Sequence, residues 1–220
     1  MATVIAIMGE SGSGKTTSMR NLLPSETMYI DCDKKGLSWR GWKKQYNGES
    51  KNYIATSAVS TIQNALTKID TSPNFAHIKF VIIDTLNGIM IDDEMERRKE
   101  KGYDKWQDMA ASVYELIART YTLRNDLTVI FTAHTQTERD DSGYQFTRIK
   151  TSGKKLEKIV PESKFTTVLH AKIIDGKHVF ETKANNSTAK TPMGAFDELQ
   201  IDNDITVVID TLKKYESDED

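Results

Sequence analysis

Apolar residues along the chain follow two rhythms. Short unbroken runs rich in β-branched residues occur at Thr3–Met8, Met28–Cys32, Phe80–Ile83 and Leu127–Ala133. A strand covered on both faces need not alternate, so these runs predict the central strands of a parallel sheet. Between them the spacing changes. Val59, Ile62, Leu66 and Ile69 recur at helical steps, and Met109, Val113, Leu116, Ile117 and Tyr121 keep that period within Asp104–Asn125. Both sets line one face of a helix. Thr16–Leu22 predicts another helix, stopped by Pro24, and Asn52–Ala55 another brief strand. Ile205, Val208, Ile209, Leu212 and Tyr215 predict a last amphipathic helix. Strands alternating with helices specify an α/β fold, a mostly parallel sheet flanked by helices.

Two later stretches break the alternation. Phe165–Ala171 and His178–Thr182 flank Asp175-Gly176, a tight-turn pair, so the sheet should end in an antiparallel hairpin. Residues 135–153 carry only Tyr144, Phe146 and Ile149 among polar, charged and glycine residues, which predicts a long mobile loop. With no repeat and no linker, the expected organisation is a single domain over residues 1–215, followed by an acidic tail at 216–220.

Composition narrows the function classes. Hydrophobic residues make up 38% and charged residues 28% of 220, enough for one core under a wet surface. Thirty Lys and Arg against thirty-two Asp and Glu leave a net charge of −2, which excludes coating DNA by bulk charge; any nucleic-acid contact must be local. A single cysteine, Cys32, excludes a disulfide framework, and the four histidines lack metal-ligand spacing. The apolar N-terminal run is too short to span a bilayer and lacks a basic start, so no membrane partner and a cytoplasmic location are expected.

The strongest chemical signal follows the first strand. Gly9-Glu10-Ser11-Gly12-Ser13-Gly14-Lys15-Thr16 fits GxxxxGK[ST] between a strand and a helical segment, and Thr17 adjoins it. Glycines let backbone N–H groups turn inward around phosphate oxygens, Lys15 offers a point charge, and Thr16 offers a hydroxyl to Mg²⁺. Phe80-Val81-Ile82-Ile83-Asp84 supplies the complementary half, a buried strand delivering the Asp84 carboxylate to the metal shell. Thr67-Lys68-Ile69-Asp70 mimics a guanine-reading motif but lies within a helical pattern, which leaves ATP as the expected nucleotide. At the end of the second strand, Asp33 is a candidate to polarise the attacking water, with Asp31 its competitor on the opposite alternation. His134, closing the strand Leu127–Ala133, would face the γ-phosphate or serve as a structural histidine.

The order GESGSGKTT, YIDCD, FVIIDT, VIFTAH, a polar loop, and then SGKKLEKIVPESKFTTVLHAKI with a hairpin ending ETKANN resembles the RecA-like ATPase core. It looks closest to short phage-encoded recombination ATPases of the single-strand-annealing kind. That resemblance implies a P-loop NTPase core using ATP and Mg²⁺, a homo-oligomer, and a host-cytoplasmic role in recombination or replication alongside a single-strand-binding or replication protein. It further implies catalytic positions at Lys15, Asp33 and His134, and at Lys183 a cation presented to a neighbouring subunit. The chain departs from RecA in beginning almost at the phosphate strand.

In such proteins the loop after the sensor strand touches single-stranded DNA. Here Tyr144 and Phe146 lie among Arg148, Lys150, Lys154, Lys155 and Lys158, with Glu157 the one carboxylate of residues 143–158. Cations beside stacking rings suit a sequence-tolerant single-strand site, though an ordinary solvated loop has the same composition. Lys34–Tyr46, basic and tryptophan-bearing, reads as a surface helix or subunit interface. Two rivals share the phosphate loop: a small-molecule or nucleotide kinase, for which no arginine-rich lid is evident, and a nucleotide-driven switch that binds a protein partner.

Overall fold

The computed structural model describes residues 1–102, 104–152 and 160–217. Its main sheet has eight strands: β1 (Thr3–Gly9), β2 (Thr27–Asp31), β3 (Tyr53–Ala55), β4 (Phe80–Asp84), β5 (Thr128–Ala133), β8 (Thr167–Ile174), β9 (Lys177–Glu181) and β10 (Gln200–Asp202). Their spatial order is β10-β9-β8-β1-β5-β4-β2-β3. From β8 to β3 every pairing is parallel, while β8–β9 and β9–β10 are antiparallel. The mixed α/β sheet with its late hairpin, turning at Asp175-Gly176, is therefore as the sequence predicts.

Alternation within the unbroken runs builds the core on both faces. Val4, Ala6 and Met8 of β1, with Val81, Ile83, Val129 and Phe131, face one side; Ile5 and Ile7, with Tyr29, Ile82 and Ile130, face the other. The first side is covered by α2 (Val59–Thr71), α3 (Leu86–Glu96) and α4 (Asp104–Thr120), through Ile62, Leu66, Ile89, Val113 and Leu116 among others. The second is covered by α5 (Ile205–Glu216), through Val208, Ile209 and Leu212. The single-turn α1 (Trp42–Gln45) lies in the basic stretch Lys34–Tyr46, and that stretch helps cover this side: Tyr46 is buried and stacks edge-on with Tyr29 at 5.5 Å, and Trp39 and Trp42 pack against the same cluster.

Two expectations need correction. The helix expected over Thr16–Leu22 is only a 3₁₀ turn, Thr17–Met19. Few residues separate the loop from Pro24, which donates no hydrogen bond, and the Ser18 hydroxyl binds its own turn at Lys15 O (2.7 Å), so a costly helical nucleus has nothing to propagate into. Met19 and Leu22 are nevertheless buried against the sheet. The loop expected over 135–153 is instead a hairpin, β6 (Thr135–Arg139) paired antiparallel with β7 (Gln145–Ile149). Its backbone is satisfied partly by the distant segment 186–188: Thr147 N donates to Asn186 O and Thr188 N to Thr147 O. Ile149 anchors it in the core. Gly153 of the expected loop lies outside the described residues, as do residues 218–220 of the acidic tail.

Candidate active site

Parallel strands β1, β4 and β5 all end at one edge of the sheet, and β5 lies between the other two. The topology thus brings the loop after β1, the carboxylate ending β4 and a hydroxyl near the end of β5 to one place, as open α/β sheets do at their carboxyl ends.

The loop depends on glycine where it must. A Cβ on Gly9 would stand 2.5 Å from Ser13 Oγ and 2.6 Å from the Ala171 carbonyl, so no side chain fits between β1 and β8. Gly12 and Gly14 have φ of 80° and 101°. The loop and the segment that follows it are tied to β9 and to the residues just before α5. His178 Nδ1 approaches Ser13 O at 3.1 Å, Arg20 Nη1 donates to Asn203 O at 2.9 Å, and Asn21 Nδ2 donates to Asp204 Oδ2 at 2.5 Å. Asn203 Oδ1 would lie 2.8 Å from a Cβ on Gly14.

Lys15 is 6% exposed, and its Nζ donates to the carbonyls of Gly9 and Glu10, each at 2.8 Å. Burial pulls its pKa down to about 8; Lys35 adds to that fall, while Asp84, Glu10 and Asp33 oppose it. Thr16 Oγ1 donates to Asp84 Oδ2 at 2.9 Å, joining the two halves of the motif. Tyr29 OH donates to the same oxygen at 2.6 Å, and Thr132 Oγ1 donates to Asp84 Oδ1. Three hydroxyls from three elements therefore fix one buried carboxylate.

Lys15 and Thr16 border a cavity of about 220 Å³, lined also by Ser11, Gly12, Gly14 and Thr17, with Lys35, Ser38, Thr85 and His134 completing it. A roomier cavity, about 320 Å³, lies beneath α2 against Met28, Ile54 and Phe75, away from this chemistry. Chemistry rather than volume marks the site.

The structure separates the two acids after β2. Asp31 is 2% exposed and accepts from the amides of Lys34 (2.9 Å) and Gly36 (2.7 Å) and from Tyr53 OH (2.7 Å), so its carboxylate builds a turn. Asp33 instead accepts from Thr85 Oγ1 at 2.9 Å and from the Lys35 ammonium, both cavity residues. Gly88 permits this approach, since a Cβ there would meet Asp33 Oδ1 at 2.6 Å. Across the cavity, His134 is fixed at both backbone groups: its N–H donates to Asn87 Oδ1 at 2.7 Å, and its carbonyl accepts from Lys150 N at 2.7 Å. Burial first, then Lys15, lowers its imidazole pKa.

A family model described as an AAA domain matches residues 1–193. The chain belongs to the AAA domain family. No curated protein matches it. As an AAA domain it is a P-loop module of the ATPase type, which agrees with the loop and the Thr16–Asp84 contact. No helix of its described residues is long and apolar enough to cross a membrane.

Other expected site residues of this AAA domain do not line the cavity. Glu10, within the loop, receives a hydrogen bond from Thr135 Oγ1 at 2.6 Å and so links the loop to the hairpin. Lys183 is exposed, donates to Asp197 O at 2.9 Å, and is not part of the cavity lining. Tyr144 and Phe146 stack at 6.4 Å on the hairpin, with Tyr144 51% exposed. Lys150 is exposed, and Lys154 and Lys155 lie outside the described residues. Arg148 must be withdrawn as a DNA contact. It is 7% exposed and held by Glu138 (3.1 Å) and Glu162 (3.4 Å), because a buried guanidinium needs carboxylates around it.

Sequence reasoning missed Lys35, Ser38, Thr85 and Asn87. For Thr85 and Asn87 a signal existed: Thr85 caps α3 by accepting from Gly88 N at 3.0 Å, a helix start legible in Thr-x-x-Gly before Ile89 and Met90.

Proposed function

We propose that the chain hydrolyses ATP with Mg²⁺ and couples its nucleotide state to single-stranded DNA, in recombination or replication of the kind phages encode and as a homo-oligomer. The observation that carries the catalytic half is the meeting of Lys15, Thr16, Asp84 and Thr132 at one sheet edge.

The residues fit a magnesium triphosphate. Lys15, Thr16 and the positive-φ glycines Gly12 and Gly14 all line the one cavity, with Lys35 facing them. Among the described residues no cluster of three His, Cys, Asp or Glu side chains could hold a metal. Mg²⁺ suits such a site, since it keeps much of its water and takes few protein ligands beside phosphate. Thr16 and Asp84 would hold it, and when bound it neutralises charge on the phosphates. Lys15 and the loop amides would stabilise charge on the transferred group. Asp33 would orient the attacking water and take up its proton as the water oxygen replaces the bridging oxygen on the terminal phosphorus. His134 would sense that phosphate and pass its loss to β6, through its own backbone and the Glu10–Thr135 contact.

For DNA, the support is the stack of exposed Tyr144 on half-buried Phe146, with exposed Lys150 nearby in sequence. Stacked rings beside a cation suit bases of any sequence. Phosphate release from ATP, measured with and without oligo(dT), tests the proposal. The expected result is Mg²⁺-dependent release that rises with DNA. ADP formation that needs an added acceptor and frees no phosphate would favour a kinase, and no ADP formation would leave a binding switch.

A further inference from the structure

Two consecutive lysines follow Asp33, and the fold sends them in opposite directions. Lys34 reaches outward to Asp92 Oδ2 on α3 at 2.6 Å. Lys35 lines the phosphate cavity, and its ammonium donates to Asp33 Oδ2. The turn that divides them is pinned on either side of Lys35, since Asp31 accepts from the amides of both Lys34 and Gly36. Lys34 itself takes a φ of 58°, and a Cβ on Gly36 would stand 2.6 Å from the Trp42 ring, so this turn tolerates little rearrangement.

Lys35 therefore starts from a fixed Cα, and beyond its pairing with Asp33 its side chain is 58% exposed, whereas Lys15 is enclosed. Two ammonium groups facing one small cavity repel each other until a polyanion lies between them. The carboxylate that holds Lys35 is the one expected to orient water, so Lys35 also occupies the hydrogen-bonding capacity that water would need.

We propose that Lys35 is a second phosphate-binding cation, which exchanges its pairing with Asp33 for the terminal phosphate of a bound nucleoside triphosphate and thereby releases the Asp33 carboxylate to water. The inference rests on the ATPase reading and adds a specificity element to it. A nucleoside diphosphate lacks the group that draws Lys35 away, so Lys35 discriminates triphosphate from diphosphate, and Asp33 is unmasked only when there is a bond to cleave. Only an ion pair is exchanged; no covalent bond changes in this step.

The test combines calorimetric binding of MgADP and of a magnesium complex of a non-hydrolysable ATP analogue with phosphate release, on the wild type, Lys35→Met, Lys35→Arg and Asp33→Asn. In Lys35→Met the analogue should bind about tenfold more weakly and ADP within about twofold of wild type, while kcat falls about 100-fold. Lys35→Arg should recover most of the analogue affinity. Asp33→Asn should move the two readouts apart, with analogue affinity rising a few-fold and turnover lost. A Lys35→Met protein that keeps the wild-type preference for triphosphate overturns the proposal. So does one that loses ADP and analogue binding equally with a lowered melting temperature, which marks a structural lysine. If the wild type binds no nucleotide, the ATPase reading itself fails and takes this inference with it. A wild type that turns over beside an indistinguishable Lys35→Met removes Lys35 alone.

Discussion

The phosphate cavity and the β6–β7 hairpin are neighbours, both dense in polar side chains, and they use those side chains differently. At the cavity, Tyr29, Thr16 and Thr132 all donate to Asp84, so the bonding fixes one carboxylate, while Lys15 and Lys35 line the space beside it. In the hairpin, Arg148 is enclosed by Glu138 and Glu162, and Glu162 also accepts from Ile149 N at 2.6 Å. There the charges hold two strands onto the body of the molecule. Polar density alone therefore does not distinguish a site from a support. What distinguishes them is whether the charged groups are enclosed against one another or line a common gap.

Substitutions can break that contrast. The largest effect should come from Lys15→Ala, which removes the central cation of the gap. Phosphate release should fall by about 10³-fold or more, and calorimetric nucleotide binding should disappear, with the hairpin intact. Full activity in that variant would remove the cavity as the site. Next, Arg148→Ala should act on the fold instead: leaving Glu162, 3% exposed, without its cation should cost about 3 kcal/mol in urea unfolding, while the protein that remains folded still hydrolyses ATP. Unchanged stability with lost oligo(dT) binding would reinstate Arg148 as a DNA contact. The smallest effect should come from Tyr144→Ala, with oligo(dT) binding weakened by about 1 to 3 kcal/mol and ATP hydrolysis without DNA untouched. Equal DNA affinity in that variant would reduce the hairpin to a support throughout.

The contrast also explains how much the sequence disclosed. The phosphate loop and Asp84 were legible because each is written in consecutive residues whose chemistry needs no distant partner. The parallel strands were legible because burial on both faces leaves unbroken apolar runs. The hairpin was not, since β6 and β7 are polar and their stabilising partners, Glu162 and Asn186, lie far along the chain. Asp33 was separable from Asp31 only once the turn showed which carboxylate its own amides consume. The missing helix after the phosphate loop has a local cause in Pro24, although Met19 and Leu22 are still buried against the sheet.

The hydrogen bonds from Arg20 and Asn21, just past the phosphate loop, to Asn203 and Asp204 carry a consequence for how this molecule can be divided. The stretch shared with the family stops at residue 193, short of both. A boundary drawn by kinship thus runs inside a mechanical unit. Trimming the polypeptide there would take away the ties at Arg20 and Asn21 along with α5, so a shortened protein could keep every inherited signature and still lose what secures the segment just past its grip.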